Sequence, residues 1–459
     1  MTRHADIAIP ARGSYVLRRA RVPGCFLRRP LVGQQVDPEG SVLLDIEVEG
    51  EKIAGIWPAG TQPGDGVRPE IDLQGRQVWA TLIDMHAHLD KGQVVPRVAP
   101  DGSLAGGITL TAADQSRWTP QDIRQRMEFG IRCAYVHGVS AIRTHIDSVE
   151  PRTTPMSWEV FSDLRAAWTG KVALQAVGIT PLTAFLDRAG VELADRVAAA
   201  KGILGGWTDG IAQHGPERAD LDGLLDSFFS VAGERGLDVD LHVDQSDDVD
   251  AFTLPDVARA VLRTGFGGRV VVDHCVNLAL QPVPVIERTI DLCRQAGLAI
   301  VTLPTPMMYL QDRHVGRTPR WRGVTVAHEL MAAGIPVAIG GDNCRDAWFP
   351  FGDHDMVDTV KQSVRVFQID NPIAQAVAMA GPIPSAIVER PDIGWIDEGV
   401  LARFILFGAR TLNELMCRPQ ADRIVIDRGR RVTQTLPDYE ELTPTAGLFS
   451  ALTTHEIPG

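Results

Sequence analysis

VWATLIDMHAH (78–88), LDVDLHVDQ (237–245) and RVVVDHCV (269–276) share one plan: an apolar run with a histidine or aspartate at its C-terminal end. Five further runs follow the plan wholly or in part: VSAIRTHID (139–147), VALQAVGIT (172–180), ILGGWTDGI (203–211), LAIVTLPTP (298–306) and PVAIGGDN (336–343). Helical stretches lie between the runs. TPQDIRQRMEFGIRCAYVHG (119–138) opens on Thr119-Pro120, an N-cap followed by proline in the first turn, and closes on Gly138. PVPVIERTIDLCRQAG (282–297) is a second such stretch. Nearly continuous apolar strands alternating with helices imply a parallel sheet covered on both faces. Eight such units over about 315 residues imply a closed (β/α)8 barrel of the TIM type. Packing alone does not require polar residues at the C-terminal ends of strands, but that face is where such barrels build their sites.

Outside the barrel the pattern changes. SYVLRRARV (14–22) and SVLLDIEVEGEKIAGIWPAG (41–60) read as short strands, the second as a hairpin turning at Glu49-Gly50-Glu51-Lys52. RFILFGARTLNELMCRPQADRIVIDRGRRV (403–432) reads as strand again. The expected organisation is an α/β barrel over 81–395 and a small β-sandwich domain built from both chain ends, 1–80 and 396–436. A C-terminal tail would cover 437–459.

Composition narrows the function. Of 459 residues, 45 are Lys or Arg and 58 Asp or Glu, a formal net charge of −13. With no basic run, nucleic acid and an anionic membrane surface are not expected partners. No apolar stretch approaches the roughly 20 residues that span a bilayer, and the N-terminus lacks the apolar core of a signal peptide. The six cysteines are scattered, without a Cys-x-x-Cys pair, and read as reduced, mostly buried thiols of a cytoplasmic protein.

Where the polar residues fall points to a metal. His86 and His88 are two apart, so on a strand they face the same side. His242 ends the fifth run, His274 the sixth and Asp342 the eighth. All five would converge above the barrel axis, and an imidazole–carboxylate set suits Zn²⁺, with Fe²⁺ or Mn²⁺ as alternatives. His145, in the second run, is read as a neighbour of the site rather than a ligand. Neither Gly-x-Ser-x-Gly nor a Gly-rich phosphate loop is present to suggest other chemistry.

HAHLDK (86–91), RTHID (143–147), HVDQ (242–245), VVDHC (271–275) and GGDNCRDAWFPFGDHDM (340–356) together resemble the amidohydrolase superfamily, in the branch containing cytosine deaminase and N-isopropylammelide isopropylaminohydrolase. The resemblance covers about residues 15–435. It implies that His86, His88, His242 and Asp342 bind one divalent metal and that His274 hydrogen-bonds the attacking water or the tetrahedral intermediate. No lysine on the third or fourth strand offers itself for carbamylation, since Lys171 and Lys201 precede their strands; one metal is therefore expected. Asp342 would act as general base and then acid. Barrels of this kind often self-associate, so a homo-oligomer is expected.

Two departures bear on the substrate. The β5 motif of cytosine deaminase is His-x-Asp-Glu, and its glutamate shuttles protons; here Gln245 stands in that place and cannot titrate. It is a candidate for catalytic hydrogen bonding or for orienting the substrate, against a structural role. GITPL (178–182) puts Thr180-Pro181 where cytosine deaminase has a glutamine, so cytosine itself is not expected. Lys91 and Asn343 resemble the isopropylammelide hydrolase and are candidate substrate contacts; the alternative for Lys91 is a solvated loop residue. Asp147 is left between orienting a neighbour and structure. Trp348 would cover the pocket mouth, with Phe349 and Phe351 in the core. Met308, with Met307 and Tyr309, would form an apolar pocket wall or pack in the core.

The function so implied is metal-dependent hydrolysis of an exocyclic C–N bond, by deamination or dealkylamination, in a small N-heterocycle such as a pyrimidine or s-triazine. Ring opening of a cyclic amide or imide is the alternative enzyme, and a non-catalytic metal or ligand-binding descendant the alternative of another class.

Overall fold

The computed structural model describes residues 7–10, 14–61, 67–208, 218 and 220–442. The strands of the N-terminal segment are β1 (Ser14–Pro23), β2 (Ser41–Glu49), β3 (Lys52–Pro58), β4 (Glu70–Asp72) and β5 (Val78–Ala80). β2 and β3 form the expected hairpin, with Glu49 opposite Lys52 and Gly50 at φ +61° in the turn. Together with β1 and β4 they make a four-stranded sheet ordered β3-β2-β1-β4.

The next eight strands are β6 (Leu82–Ala87), β7 (Val139–Asp147), β8 (Ala173–Ile179), β9 (Ile203–Trp207), β10 (Val239–Val243), β11 (Val270–His274), β12 (Ala299–Thr302) and β13 (Val337–Ile339). They correspond one to one with the eight apolar runs and form a parallel sheet in unbroken chain order. β6, β10 and β11 are buried at every position, as strands covered on both faces must be. The first and last strands meet. The Asp342 amide donates to the His86 carbonyl at 2.6 Å, and Ala87 bridges Asp342 in parallel register. The barrel is therefore closed at the level of its candidate ligands.

Helix Pro120–His137 obeys the capping signal in its sequence: the Thr119 hydroxyl accepts from the Asp122 amide at 3.2 Å. Gly138 then reverses the chain at φ +90°, where a Cβ would also lie 2.6 Å from Ile405.

The C-terminal segment contributes β14 (Phe404–Leu406), β15 (Ile424–Asp427) and β16 (Arg430–Arg431). β14 lies antiparallel beside β5, in a sheet ordered β16-β15-β14-β5, and Lys52 bridges Leu401, so strands from both chain ends share one sheet. The stretch 403–432 is not strand throughout: Leu412–Cys417 is helical. A variant of the capping box, whose return bond goes to the residue before the cap, explains it. The Thr411 hydroxyl accepts from the Glu414 amide at 3.0 Å, and Glu414 accepts from the Arg410 amide at 2.7 Å.

The chain divides into two compact units, one of residues up to Met85, Ala134–Ile142 and Asp355–Thr435, the other of His86–Cys133, Arg143–His354 and residues from Leu436. Every candidate site residue belongs to the second. The C-terminal tail expected over 437–459 lies outside the described residues beyond Leu442. Four of the six cysteines are buried, Cys25 is partly buried and Cys417 exposed, all as free thiols. Among the described residues no helix is long and apolar enough to cross a membrane.

In the first unit Trp79 is fully buried between Phe26 (ring centroids 6.3 Å apart) and Phe407 (5.1 Å), joining three distant parts of the chain. Trp79→Ala should cost about 3–5 kcal/mol of stability, read as a lowered urea midpoint; a loss under about 1 kcal/mol would contradict this packing.

Candidate metal centre

His86 is the penultimate residue of β6, and His88 follows one residue beyond its end. The alternation of a strand sends both imidazoles inward. Their Nε2 atoms lie 3.2 Å apart, and Asp342 Oδ1 lies 3.5 Å from the first and 3.3 Å from the second. Ligands on a tetrahedral ion with bonds of 2.0–2.1 Å sit about 3.3–3.4 Å from one another. The triangle thus already has the dimensions of one face of such a site. The His242 ring stands 4.7 Å from His86 and 5.5 Å from His88, and His274 stands 4.9 Å from His242. Both carboxylate oxygens of Asp342 and both ring nitrogens of His274 are buried without a hydrogen-bond partner. A folded protein rarely leaves so many polar atoms unsatisfied. A divalent cation and a bound water or substrate account for them.

The backbone is bent to achieve this. His274 and Asp342 adopt φ +66° and +59°, left-handed values that cost a non-glycine residue of order 1–3 kcal/mol each. His274 is the last residue of β11 and Asp342 lies three residues beyond the end of β13, and at each the turn aims the side chain.

Electrostatics favour ligands over cations. Burial, reinforced by the neighbouring imidazoles, holds His86 and His242 well below the ordinary histidine range. Burial does the same at His88, with Lys91 as the next cause. His274 is lowered to about 3, chiefly by burial, although Asp342 opposes the shift. Neutral imidazoles present lone pairs, as a metal requires. Burial raises Asp342, with His274 and Lys91 offsetting part of the rise.

A second group lies deeper in the same barrel. His145 is stacked on His86 at 3.8 Å, and its Nε2 lies 3.3 Å from both Asp240 Oδ1 and Asp273 Oδ2. Asp273 Oδ2 lies 2.9 Å from His86 Nδ1 and 3.9 Å from His242 Nδ1. Arg143 donates to Asp240 at 2.7 Å and to Gln175 at 3.1 Å. Burial pushes Asp240 up, but His145 and Arg143 more than offset it, leaving it below the carboxylate range. Asp273, beside Asp240 and Asp342, is held well above that range by burial and by those charges. Sequence reading left out Asp273, Asp240 and Arg143. Their signal was present: each sits next to, or two residues before, a histidine within an otherwise apolar strand, and so on the pleat that faces inward or at its end.

The candidate substrate contacts are placed as follows. Lys91 is buried, not solvated, and its ammonium sits 4.1 Å from the centre of the Trp348 ring. Buried acids lie near it. Burial and Asp147 push Asp90 up to about 7, and burial pushes Asp346 up to about 6, both partly offset by Lys91. Asp147 is itself raised by burial. Asp346 accepts from the Asn343 amide at 2.6 Å and from the Trp348 and Phe349 backbone at 2.9 Å. The Trp348 indole donates to the Leu104 carbonyl at 3.1 Å. Gln245 is half-buried just beyond β10, with its carbonyl taking a hydrogen bond from Gln311 at 2.5 Å. Met307 and Met308 lie on helix Pro304–Leu310, the first buried and the second 39% exposed. Phe351, expected in the core, is 58% exposed and meets Tyr309 and Phe349 edge to face at the surface.

A barrel closed through its first and last ligands, with a buried His–Asp site at the C-terminal strand ends, defines a metal-dependent hydrolase of C–N bonds other than peptide bonds. The chain belongs to the amidohydrolase family, whose model matches residues 104–435. It is 44% identical over 442 residues to a pterin deaminase of Rhizobium rhizogenes, spanning 95% of this chain and 98% of that protein. An N-isopropylammelide isopropyl amidohydrolase of a Pseudomonas species is 25% identical over 301 residues, 63% of this chain and 69% of that one. In fold, the chain resembles a 5-methylcytosine deaminase of Klebsiella pneumoniae solved with 5-fluorocytosine: TM-score 0.76 at 21% identity, over 92% of this chain and 98% of that chain.

Trp348 is held against helix Leu104–Gln115, where a Cβ on Gly107 would fall 2.2 Å from the indole nitrogen. Alanine is the better helix former by about 1 kcal/mol, so Gly107→Ala should not unfold the helix. It should displace the indole and raise KM several-fold; unchanged steady-state kinetics would show that Trp348 does not border the substrate.

Proposed function

We propose that this chain is a zinc-dependent aminohydrolase that removes the exocyclic amino group of a fused, oxo-bearing N-heterocycle of the pterin class. The observation that carries the reading is the His86–His88–Asp342 triangle of tetrahedral dimensions. The full-length likeness to a pterin deaminase supports the substrate class. His86, His88, His242 and Asp342 would hold the ion, and the neutral-imidazole and carboxylate donor set suits zinc. When bound, such an ion acidifies water toward about pH 7 and so makes a nucleophile available.

The chain's own residues do the rest. Asp342, set beside the His86 and His88 imidazoles, would accept the water's proton. As the C–O bond forms and the C–N bond breaks, it returns a proton to the departing nitrogen, so that one water is consumed and one ammonia released per oxo product. His274 stays neutral and donates a hydrogen bond to the attacking oxygen, holding it at the carbon that loses its nitrogen. Gln245 replaces a titratable shuttle with an amide, which orients the ring without moving protons. Lys91, stacked on Trp348, offers a cationic donor to a ring oxo group, with Asn343 beside it; Trp348 supplies a flat face for a bicyclic ring. Met308 borders the mouth.

Zinc-replete protein and its Asp342→Ala variant should be incubated with pterins, aminopyrimidines and cyclic imides, with ammonia and product masses measured. Stoichiometric ammonia from a pterin, lost by at least about three orders of magnitude in the variant, is the expected result. Uptake of water without loss of nitrogen would replace deamination with ring opening.

A further inference from the structure

His86 serves two groups at once. Its Nε2 forms the triangle with His88 and Asp342, while its Nδ1 lies 2.9 Å from Asp273 Oδ2. Asp273 is in turn reached by His145 at 3.3 Å, His145 by Asp240 at 3.3 Å, and Asp240 by Arg143 at 2.7 Å. These residues come from β6, β7, β10 and β11, and Arg143, His145, Asp240 and Asp273 are all nearly or fully buried. Most barrels of this size fill the same space with branched apolar side chains. Each unpaired buried charge costs several kcal/mol, and both Asp273 oxygens are buried without a hydrogen-bond partner, so an ionised Asp273 depends on the imidazole and cationic groups around it.

We propose that the Arg143–Asp240–His145–Asp273 chain is the outer support of the metal centre, with Asp273, whose Oδ2 lies 2.9 Å from His86 Nδ1, as the positioning residue. This inference rests on the metal-site reading above. A carboxylate on Nδ1 fixes the tautomer whose Nε2 lone pair faces the ion, orients the ring and makes it a stronger donor. The pair Asp240–Asp273 also fixes distance: Asp240, two residues before His242 on β10, and Asp273, in register with His242 on β11, hold a second ligand strand at the same height. His242 Nδ1 lies 3.9 Å from Asp273 Oδ2, beyond hydrogen-bond distance, so the support acts directly on His86. His86, His145, His242 and Asp273 form a His–Asp cluster of their own. It is assigned as support rather than as a second seat for an ion, because His86 approaches it through Nδ1 while Nε2 is already committed to the triangle.

The test measures zinc affinity, by competition with a chromogenic chelator, for the wild type, Asp273→Asn and His145→Gln, beside the thermal stability of each metal-free form. Asp273→Asn, which keeps the shape and removes the charge, should bind zinc roughly 10–100-fold more weakly. At saturating zinc its kcat should return to near the wild-type value with KM unchanged. Should Asp273→Asn not fold, His145→Gln removes only the next link, and its zinc affinity should fall several-fold. Equal affinity in a folded variant and the wild type overturns the support role. A kcat that stays low at saturating zinc also overturns it, since Asp273 would then act in the reaction itself. A wild type that binds no zinc is a different failure, of the metal-centre reading rather than of this chain of contacts.

Discussion

One backbone hydrogen bond, from the Asp342 amide to the His86 carbonyl, joins the last barrel strand to the first. Much depends on it. It closes the sheet, which otherwise would expose two edges. It also fixes the relative height of the only two ligand-bearing segments that meet across the closure rather than within the chain-ordered sheet. Shifted by one residue, His86 and Asp342 would point to opposite faces and the triangle could not form. Barrel closure and assembly of the site are thus the same event, and the left-handed turn at Asp342 is the local strain the closure must overcome.

Around that point the protein arranges burial so that its histidines remain neutral. Five imidazoles within one small volume would repel if charged, and burial together with this mutual repulsion keeps His86, His88, His242 and His274 deprotonated. The positive charge is supplied elsewhere, by Arg143 below and Lys91 above. Asp346 shapes the loop that follows Asp342, because its one carboxylate takes hydrogen bonds from Asn343, Trp348 and Phe349 together.

The barrel was legible because its signal is local and repeated: eight apolar runs, each with polar residues at its end, map onto β6–β13. His86, His88, His242, His274 and Asp342 were legible because strand alternation and strand order alone bring them together. The helix Leu412–Cys417 was missed although the Thr411–Glu414 capping box was written in the sequence; six residues give too short a period to show against two flanking strands. The support chain of Arg143, Asp240 and Asp273 was harder to see, because charges inside an apolar strand look like errors until the strands on either side are paired. Lys91 was legible as a candidate substrate contact, but its burial was not, as that depends on where the loop after β13 puts Trp348. Phe351 fell on the surface for the same kind of reason. Loop conformation, not residue type, decided both.

If the His86–His88–Asp342 triangle is one face of a metal site, an ion must seat on it. Crystals grown with zinc and measured at wavelengths on either side of its absorption edge test this most directly. A single anomalous peak about 2.0–2.2 Å from His86 Nε2, His88 Nε2 and an Asp342 carboxylate oxygen, with His242 as the fourth protein ligand, is the predicted result. A peak seated instead among His145, Asp240 and Asp273, or no peak in a fully folded protein, would contradict the account.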